Sequence, residues 1–432
     1  MKVRSRISRK PFRMQTMPQD ESLVKGMLEL MEASRGGFGQ GRVYLRAVLM
    51  AVAEVMSVGR HQVTDLLRSV GLVEEDWTAW YRMLEKPSRM AEKRLGETLV
   101  AQTWQAVGET GLDVVGIDST SVPRNSQQME GTGWLKCPRN PPWKVGIHRA
   151  QRFLNVSWLA PLEDGYSRAV PLRFLPCFPE KAVRTGQEAQ VEPQTGATAL
   201  AWVREAVDVQ DPHMSLLCLV DGSYDRPAFW TGLPKHTTVL ARTAKNRKLM
   251  CLPPPYGGRG RRRKYGARAP APHNYLAQSD GWQSFTLPVR GHQRRMVARV
   301  EGPFLREKMP DVPLMLICVR EQHWQQSAQH KRRDPIFYLV NAVCRDGHWQ
   351  LPFALETLLA WAWQRWELEV VHREVKFGFG LGDKQCFNTH AAVASVQGRH
   401  GSTVCSPSPA MWQNIEASLL SLTSPSFRAT LF

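Results

Sequence analysis

The sequence predicts an α/β protein with a helical N-terminal part, a mixed core and a β-rich insertion. Apolar residues recur at helical spacing through the first 110 residues. From residue 111 onward, short apolar runs typical of strands alternate with helical segments. The longest helical pattern, 354–377, comes near the end of the chain, so the core is expected to close there.

Composition indicates a folded protein with a polyanionic partner. The chain has 432 residues, of which 43% are apolar, enough for a sizeable core. Its 57 Lys and Arg against 39 Asp and Glu give a net charge of +18, which favours nucleic acid first and an anionic membrane second. The most apolar helix-like run, 43–56, is too short to span a bilayer and carries Arg46 and Glu54, so no membrane partner is expected.

The eight cysteines are scattered and form no Cys-x-x-Cys pair. This spacing disfavours zinc ribbons and disulfide frameworks and is typical of a reducing cytosol. The basic N-terminus is followed by no apolar signal core. We therefore expect a cytoplasmic protein.

Residues 1–110 are predicted to form a helical DNA-binding domain. Within it, 42–71 resembles two helices joined by a turn at 57–60, with Gly71 as a C-cap. Such a pair suits a helix-turn-helix, which would expose Arg60, His61, Gln62 and Arg68. An ordinary helical hairpin is the alternative.

Residues 111–225 are predicted to hold the first part of the core. Its elements are strands at 112–117, 152–161, 167–175 and 216–220, with a helix at 198–209 before the last strand. Three strands, a helix and another strand follow the order of an RNase H-like core. The first strand ends at Asp118 and the last at Asp221.

The rest of the chain divides into three predicted parts. Residues 226–350 are a β-rich insertion with a basic loop, 351–397 a catalytic helix completing the core, and 398–432 an atypical Ser/Thr-containing tail. The loop cations repel one another and favour a mobile segment lying on DNA, or simply a solvated loop. They are Arg259, Arg261, Arg262, Arg263 and Lys264. Lys144 and Arg149, after the first aspartate, are candidate phosphate contacts in a hairpin.

Carboxylates at the ends of neighbouring strands repel unless a cation lies between them. Asp118 and Asp221 therefore indicate Mg²⁺, and two such ions can hold both reacting oxygens of a phosphodiester. A third carboxylate is available at Glu367, Glu369 or Glu374 of the long helix.

Helical geometry selects Glu369. At about 100° per residue, Arg365, Glu369, His372 and Lys376 fall within roughly 60° on one face, whereas Glu374 lies roughly 140° from Glu369. A stripe of one acid among cations suits a phosphate site, and a solvated polar face is the alternative.

The segment 363–376 resembles the Tyr-x2-Arg-x3-Glu-x6-Lys signature of one group of bacterial insertion-sequence DDE transposases. Gly-Ile-Asp-Ser-Thr at 116–120, Val-Asp-Gly-Ser-Tyr at 220–224 and the glycine-rich stretch 377–385 are also similar to that group. The resemblance spans roughly residues 20–397. Ala362 stands where the signature has its tyrosine, between Trp361 and Trp363, and the chain departs from the family after Gln397.

The resemblance implies a site and a reaction. Asp118, Asp221 and Glu369 would hold two Mg²⁺ ions, with Mn²⁺ as a substitute, while Arg365 and Lys376 contact phosphates at the transposon end. His372 would orient a phosphate or water. The protein would cut double-stranded DNA at the terminal inverted repeats and join the ends to target DNA, as a homodimer on DNA.

Two alternatives stay open. A catalytically decayed transposase that only occupies DNA is favoured by Ala362 and by the divergent tail. An RNase H-like nuclease or resolvase would share the metal ions but lack strand transfer.

Overall fold

The computed structural model describes most of the chain between residues 22 and 397. The described residues are 22–86, 90–108, 110–124, 126, 129–136, 146–182, 191–258, 260–322, 324, 334–384, 386 and 388–397. The predicted tail at 398–432 therefore lies outside them. None of the helices in this described part combines the length and apolar character needed to cross a bilayer.

Ten helices occur in the described part of the chain. They are α1 (Ser22–Ala33), α2 (Gly41–Met56), α3 (Val63–Ser69), α4 (Thr78–Glu85), α5 (Glu92–Val107), α6 (Glu192–Asp208), α7 (Pro227–Trp230), α8 (Leu355–Gln364), α9 (Trp366–Phe377) and α10 (Thr389–Gln397). Gly71 ends α3 as predicted. It adopts a positive φ of 74°, and Leu72 N–H donates to Leu67 O at 2.9 Å, the bonding pattern of a Schellman cap.

Helices α2, α3 and α4 share their core with the end of the described chain. The buried side chains of Leu66 and Trp80 belong to the same apolar cluster as Ala392 of α10. The described residues before the first strand are thus mainly helical. The limits of a separate N-terminal domain at 1–110 stay a prediction.

Thirteen strands follow within the described residues. They are β1 (Asp113–Pro123), β2 (Thr132–Lys136), β3 (Ile147–Pro161), β4 (Ser167–Pro176), β5 (Leu216–Val220), β6 (Thr237–Arg242), β7 (Met250–Cys251), β8 (Gln283–Val289), β9 (His292–Arg306), β10 (Met309–Arg320), β11 (Ile336–Asn341), β12 (Val343–Arg345) and β13 (His348–Gln350). Eleven of them form one mixed sheet in the order β2-β3-β1-β5-β6-β11-β10-β9-β7, with β4 beside β3 and β8 beside β9.

The strands of the predicted insertion continue this sheet. β6 lies parallel to β5, and β11 pairs with β6 in the antiparallel sense. The segment 226–350 is β-rich, as expected, but its strands are hydrogen-bonded to the core. The domain limits drawn there stay predictions.

The register of β1 and β5 brings the two aspartates together. The strands are parallel, and Ile117 lies opposite Val220, so Asp118 and Asp221 are the next residues on each. The prediction that the first strand ends at Asp118 is wrong. β1 continues to Pro123 because β3 pairs with it along its whole second half, where Asp118 faces Asn155.

Alternation along β1 decides which face Asp118 occupies. Val115 and Ile117 pack in the cluster with α5 and α6, whereas Val114 packs in the cluster with α8 and α9. Between them, Gly116 lets α9 approach closely, because a Cβ there would meet Leu368 at 2.7 Å. Asp118 therefore faces α9.

The long helix predicted at 354–377 is two helices. The break falls at Arg365, where Leu368 N–H donates to Arg365 O at 3.1 Å. Just before it, the Gln364 side chain is fixed to the sheet: Ser167 Oγ donates to its Oε1 at 2.9 Å, and its amide donates to Gly165 O. This anchor holds the beginning of α9 over β4.

Candidate active site

Arg365 connects the helix to the first strand. Its Nη1 lies 3.4 Å from Asp118 Oδ2, and its Nη2 donates to Glu369 Oε1 at 2.8 Å. One guanidinium therefore lies between two of the three predicted catalytic carboxylates. The side chains of Arg365, Asp118 and Glu369 are 20%, 17% and 39% exposed, respectively. Solvent therefore screens the Arg365–Asp118 contact only partly.

Asp118 is an acid whose negative charge is poorly compensated. Burial raises its pKa to about 7; Arg365 opposes the rise, while the charges of Asp221 and Glu369 add to it. Its Oδ1 accepts a hydrogen bond only from the Ser119 backbone at 2.8 Å. A shifted carboxyl among other acids is a common property of functional sites.

Asp221 is held by the loop that follows β5. Its Oδ1 accepts hydrogen bonds from Ser223 N at 2.8 Å and from Ser223 Oγ at 2.6 Å. The same loop is anchored at the buried Asp225. That carboxylate accepts from Thr243 Oγ1 and pairs with Arg247 and Arg306.

His372 reaches the sheet beside Asp118. The Asn155 amide nitrogen lies 3.3 Å from His372 Nε2, and Asn155 is the cross-strand partner of Asp118. Burial lowers the pKa of His372 to about 3, helped by Lys376 and Arg365. The imidazole is therefore neutral at physiological pH and accepts rather than donates at Nε2.

The other acids of α9 are held in ion pairs elsewhere. Glu374 forms a bidentate pair with Arg168, at 3.0 and 2.7 Å, and Glu367 pairs with Arg290. Glu369 is thus the one of these three that is placed beside Asp118.

The donor set suits an oxygen-preferring cation. Within the described residues, no three His, Cys, Asp or Glu side chains form a ready-made metal site. Burial, and after it the charges of Asp221 and Glu369, nevertheless raise the pKa of Asp118, so a cation there would relieve the repulsion among the three carboxylates. The fully buried Asn155 also has an Oδ1 without a hydrogen-bond partner. Hard oxygen ligands of this kind fit Mg²⁺ or Mn²⁺.

Only some of the predicted DNA-contacting residues belong to the described part of the chain. Arg261, Arg262, Arg263 and Lys264 are exposed, and Arg262 stacks on the Tyr256 ring at 5.1 Å. Arg149 instead donates to Thr132 Oγ1 and to Ser126 O, bracing the hairpin of β2 and β3. Lys144 and Arg259 lie outside the described residues.

One residue of the predicted helix-turn-helix differs. His61 was expected to be exposed, but it is 3% exposed because its ring packs under the turn, with Nε2 3.1 Å from Glu54 O. Arg60 and Arg68 are exposed, as expected, and Gln62 is half-buried.

A family match gives this geometry its context. Residues 39–299 match the family described as DDE superfamily endonuclease, which is more than half of the chain. The chain belongs to the DDE superfamily endonucleases. The match includes Asp118 and Asp221 and ends before Glu369, so the role of Glu369 stays a prediction.

Curated proteins and solved structures give no further functional information about this DDE superfamily endonuclease. No curated protein matches it. A cryo-EM structure of a piggyBac transposase synaptic complex with hairpin DNA is similar over 98% of this chain and 84% of that chain, at 10% identity and a TM-score of 0.42. Likeness at that level carries no argument about function.

Three residues that support the candidate site of this DDE endonuclease were missed from the sequence: Asn155 and Ser223, which contact its side chains, and Asp225, which anchors the loop of Asp221. Asn155 is a buried polar residue in an apolar run of β3, and Ser223 and Asp225 follow Asp221 closely. Their proximity to Asp221 could have singled out the last two. Asn155 becomes informative only once its pairing with Asp118 is known.

Proposed function

We propose that this DDE superfamily endonuclease is a transposase that cuts double-stranded DNA at the ends of its element and joins those ends to target DNA. The observation that carries the proposal is the meeting of Asp118 and Asp221 at the end of β5, with Arg365 and Glu369 of α9 beside them. The positive net charge of +18 is consistent with a DNA substrate.

The metal requirement follows from the acids. Two Mg²⁺ ions, or Mn²⁺ as a substitute, would be held by Asp118, Asp221 and Glu369. Such ions stabilise charge on the attacking and leaving oxygens of a phosphodiester. The Ser223 hydrogen bonds fix one oxygen of Asp221 and leave Oδ2 to face the site.

The cations of α9 have separate tasks. With a metal ion held by Asp118 and Glu369, the Arg365 guanidinium would be available to bind a DNA phosphate, and Lys376, about three turns further along the helix, would bind a second. The neutral His372 accepts the Asn155 hydrogen bond at Nε2, so its Nδ1 carries the proton and would donate a hydrogen bond to that phosphate or to a water beside it.

Several finer features belong to this proposal. The core would be RNase H-like, since β3, β1, β5 and β6 lie in that order in the sheet. The protein would belong to the Tyr-Arg-Glu-Lys group of bacterial insertion-sequence transposases and act at terminal inverted repeats. It would work as a homodimer on DNA, in the cytoplasm at the nucleoid.

The deciding experiment is cleavage of a duplex that carries the end of the source element. Wild type is compared with Asp221→Ala, with Mg²⁺ and with EDTA. Cutting only by wild type with Mg²⁺ supports the proposal, and strand transfer is then scored by adding a supercoiled target plasmid. Cutting without transfer would indicate a nuclease or resolvase instead.

Ala362 favours one competing function. It stands where the signature tyrosine would be. Trp363 next to it stacks against Arg294 at 5.3 Å, so its ring supplies packing but no phenolic hydroxyl. Binding of the duplex without cutting, in wild type and variant alike, would indicate a decayed transposase that only occupies DNA.

A further inference from the structure

A second open cleft lies at the other end of α9, away from the carboxylates. Its walls are the turn between α2 and α3 (57–59) and the segment 373–379, and its volume is about 710 Å³. We refer to it as the turn cleft. The catalytic argument above does not use it.

The two walls are fixed to each other. His61 N–H donates to Asp383 Oδ2 at 3.2 Å, which ties the turn to the loop after α9. Gly380 allows this close approach: it has a φ of 58°, and a Cβ there would meet the His61 side chain at 2.6 Å. The turn cleft is therefore a formed feature and not a gap between loosely packed parts.

Each wall presents an apolar side chain to solvent. Val58 is 97% exposed at the tip of the turn, and Phe377 is 70% exposed at the end of α9. Apolar groups held this far out, in a cleft with polar surroundings, are typical of a surface that receives a ligand.

The charge of the turn cleft is positive. Its two acids are already neutralised, Glu54 by Lys384 and Glu374 by Arg168. Arg373 lines the cleft, and Arg60 follows the turn just outside it. Both are exposed and make no ion pair with any residue that the structure describes. Basic and apolar groups together match the phosphates and bases of a nucleic acid.

The position along α9 fits the same partner. Phe377 lies eight residues after Glu369, which is about 12 Å along a helix. Bases of a duplex are spaced by about 3.4 Å along each strand, so for DNA that runs along α9 this distance would correspond to three or four steps. Lys376 lies on the face of α9 that carries Glu369, so basic groups occupy the interval.

We propose that the turn cleft binds the DNA three or four base pairs from the cleaved bond. Phe377 and Val58 contact an unstacked base there, and Arg60 and Arg373 bind the flanking phosphates. The inference rests on the proposed function, because it takes the occupant to be the DNA that the carboxylates cut.

The test is DNA affinity measured by fluorescence anisotropy in EDTA, so that no cutting occurs. The probe is a labelled 40-base-pair duplex carrying the end of the source element. Phe377→Ala and Val58→Ser are each expected to weaken binding about 5-fold or more, the loss expected for one base contact. Arg373→Ala is expected to lower the slope of log affinity against log salt by about 1.

Matched controls come from the opposite face of the sheet. Val209, at the end of α6, is 81% exposed, and Arg94 of α5 is exposed without an ion pair to any described residue. Val209→Ser and Arg94→Ala should bind as wild type does. All variants change exposed side chains, and equal melting temperatures would verify that they fold alike.

A base analogue locates the contact directly. 2-Aminopurine is placed in turn at each of the six base pairs nearest the cut. Binding of wild type should raise the 2-aminopurine fluorescence only at the positions three or four base pairs from the cut. Phe377→Ala should abolish that rise.

Three results would overturn the inference. If wild type binds and cuts the duplex while Phe377→Ala and Arg373→Ala bind it equally well, only the turn cleft assignment fails. If wild type binds no duplex, the proposed function fails with it. If Phe377→Ala changes the sedimentation of the free protein but not its DNA affinity, the surface joins two copies of this chain.

Discussion

Asp118 and Asp225 belong to neighbouring strands, yet their surroundings are opposite. Asp118 lies within β1 and is 17% exposed, whereas Asp225 follows β5 and is fully buried. Asp225 has both oxygens occupied, by Arg306, by Arg247 at 2.6 Å and by Thr243. Asp118 accepts one backbone hydrogen bond, and its other partner is the Arg365 guanidinium at 3.4 Å, which also binds Glu369. A saturated carboxylate stabilises the fold, whereas an unsaturated one retains capacity to bind a cation.

The same contrast recurs on α9. Glu374 is held in a bidentate pair by Arg168, and Glu369 is held at one oxygen by an arginine that it shares. The comparison therefore predicts which acids carry chemistry and which carry stability, and each prediction below separates the two.

The largest effect is expected on cleavage. Asp118→Asn and Asp221→Ala should each lower the rate of duplex cutting by at least about 1,000-fold, because each removes a ligand for the metal that stabilises the transition state. Binding of the uncut duplex should change little. A gel-based cleavage assay with parallel anisotropy titrations measures both, and residual cutting above one per cent of wild type would remove that residue from the catalytic set.

Asp225→Ala should instead unfold the protein more readily. It leaves Arg306 buried without its carboxylate, and breaking a buried pair in this way costs roughly 3 kcal/mol or more. Urea unfolding followed by tryptophan fluorescence gives the free energy of unfolding. Asp65→Asn is the matched control, because Asp65 and its partner Arg68 are 32% and 58% exposed, so its loss should cost less than about 1 kcal/mol. Equal losses in the two variants would refute the contrast.

Much of this contrast was visible in the sequence, and part of it was not. Two aspartates, Asp118 and Asp221, follow apolar runs, and this local pattern predicts that they lie on neighbouring strands. The helical spacing of Glu369 and Glu374 is also local, and it predicts that they lie on different faces of the helix. The roles of the three carboxylates stay predictions.

The remainder depends on distant partners. The break at Arg365 follows from the anchoring of Gln364 to Ser167, almost two hundred residues earlier, and Asn155 gains meaning only from its pairing with Asp118. No periodicity reports such contacts, which is why one long helix was predicted and Asn155 was overlooked.

The dependence of stability on pH should distinguish Asp118 next. Burial raises the pKa of Asp118 to about 7, above its unfolded value of 3.8, so the folded state retains the proton longer. Its contribution to stability is complete below about pH 4 and is lost as the pH rises through 7, by about 2 kcal/mol between pH 5 and pH 7. Urea unfolding in EDTA at both pH values measures it. Asp118→Asn should lack this contribution, and parallel pH profiles for the two proteins would contradict the assignment.

The smallest effect is expected for the ion pair between Glu374 of α9 and Arg168. Glu374→Gln breaks an ion pair whose side chains are 38% and 31% exposed, so solvent limits the loss of stability to about 1 kcal/mol. Cleavage should remain within about threefold of wild type, because Arg168 and Glu374 do not contact Asp118. Glu369→Gln makes the same chemical change on the face of α9 that carries Arg365 and should abolish cutting. If Glu369→Gln still cuts while Glu374→Gln does not, the catalytic role passes to Glu374, and a closed ion pair would then be no guide to which acid binds the metal.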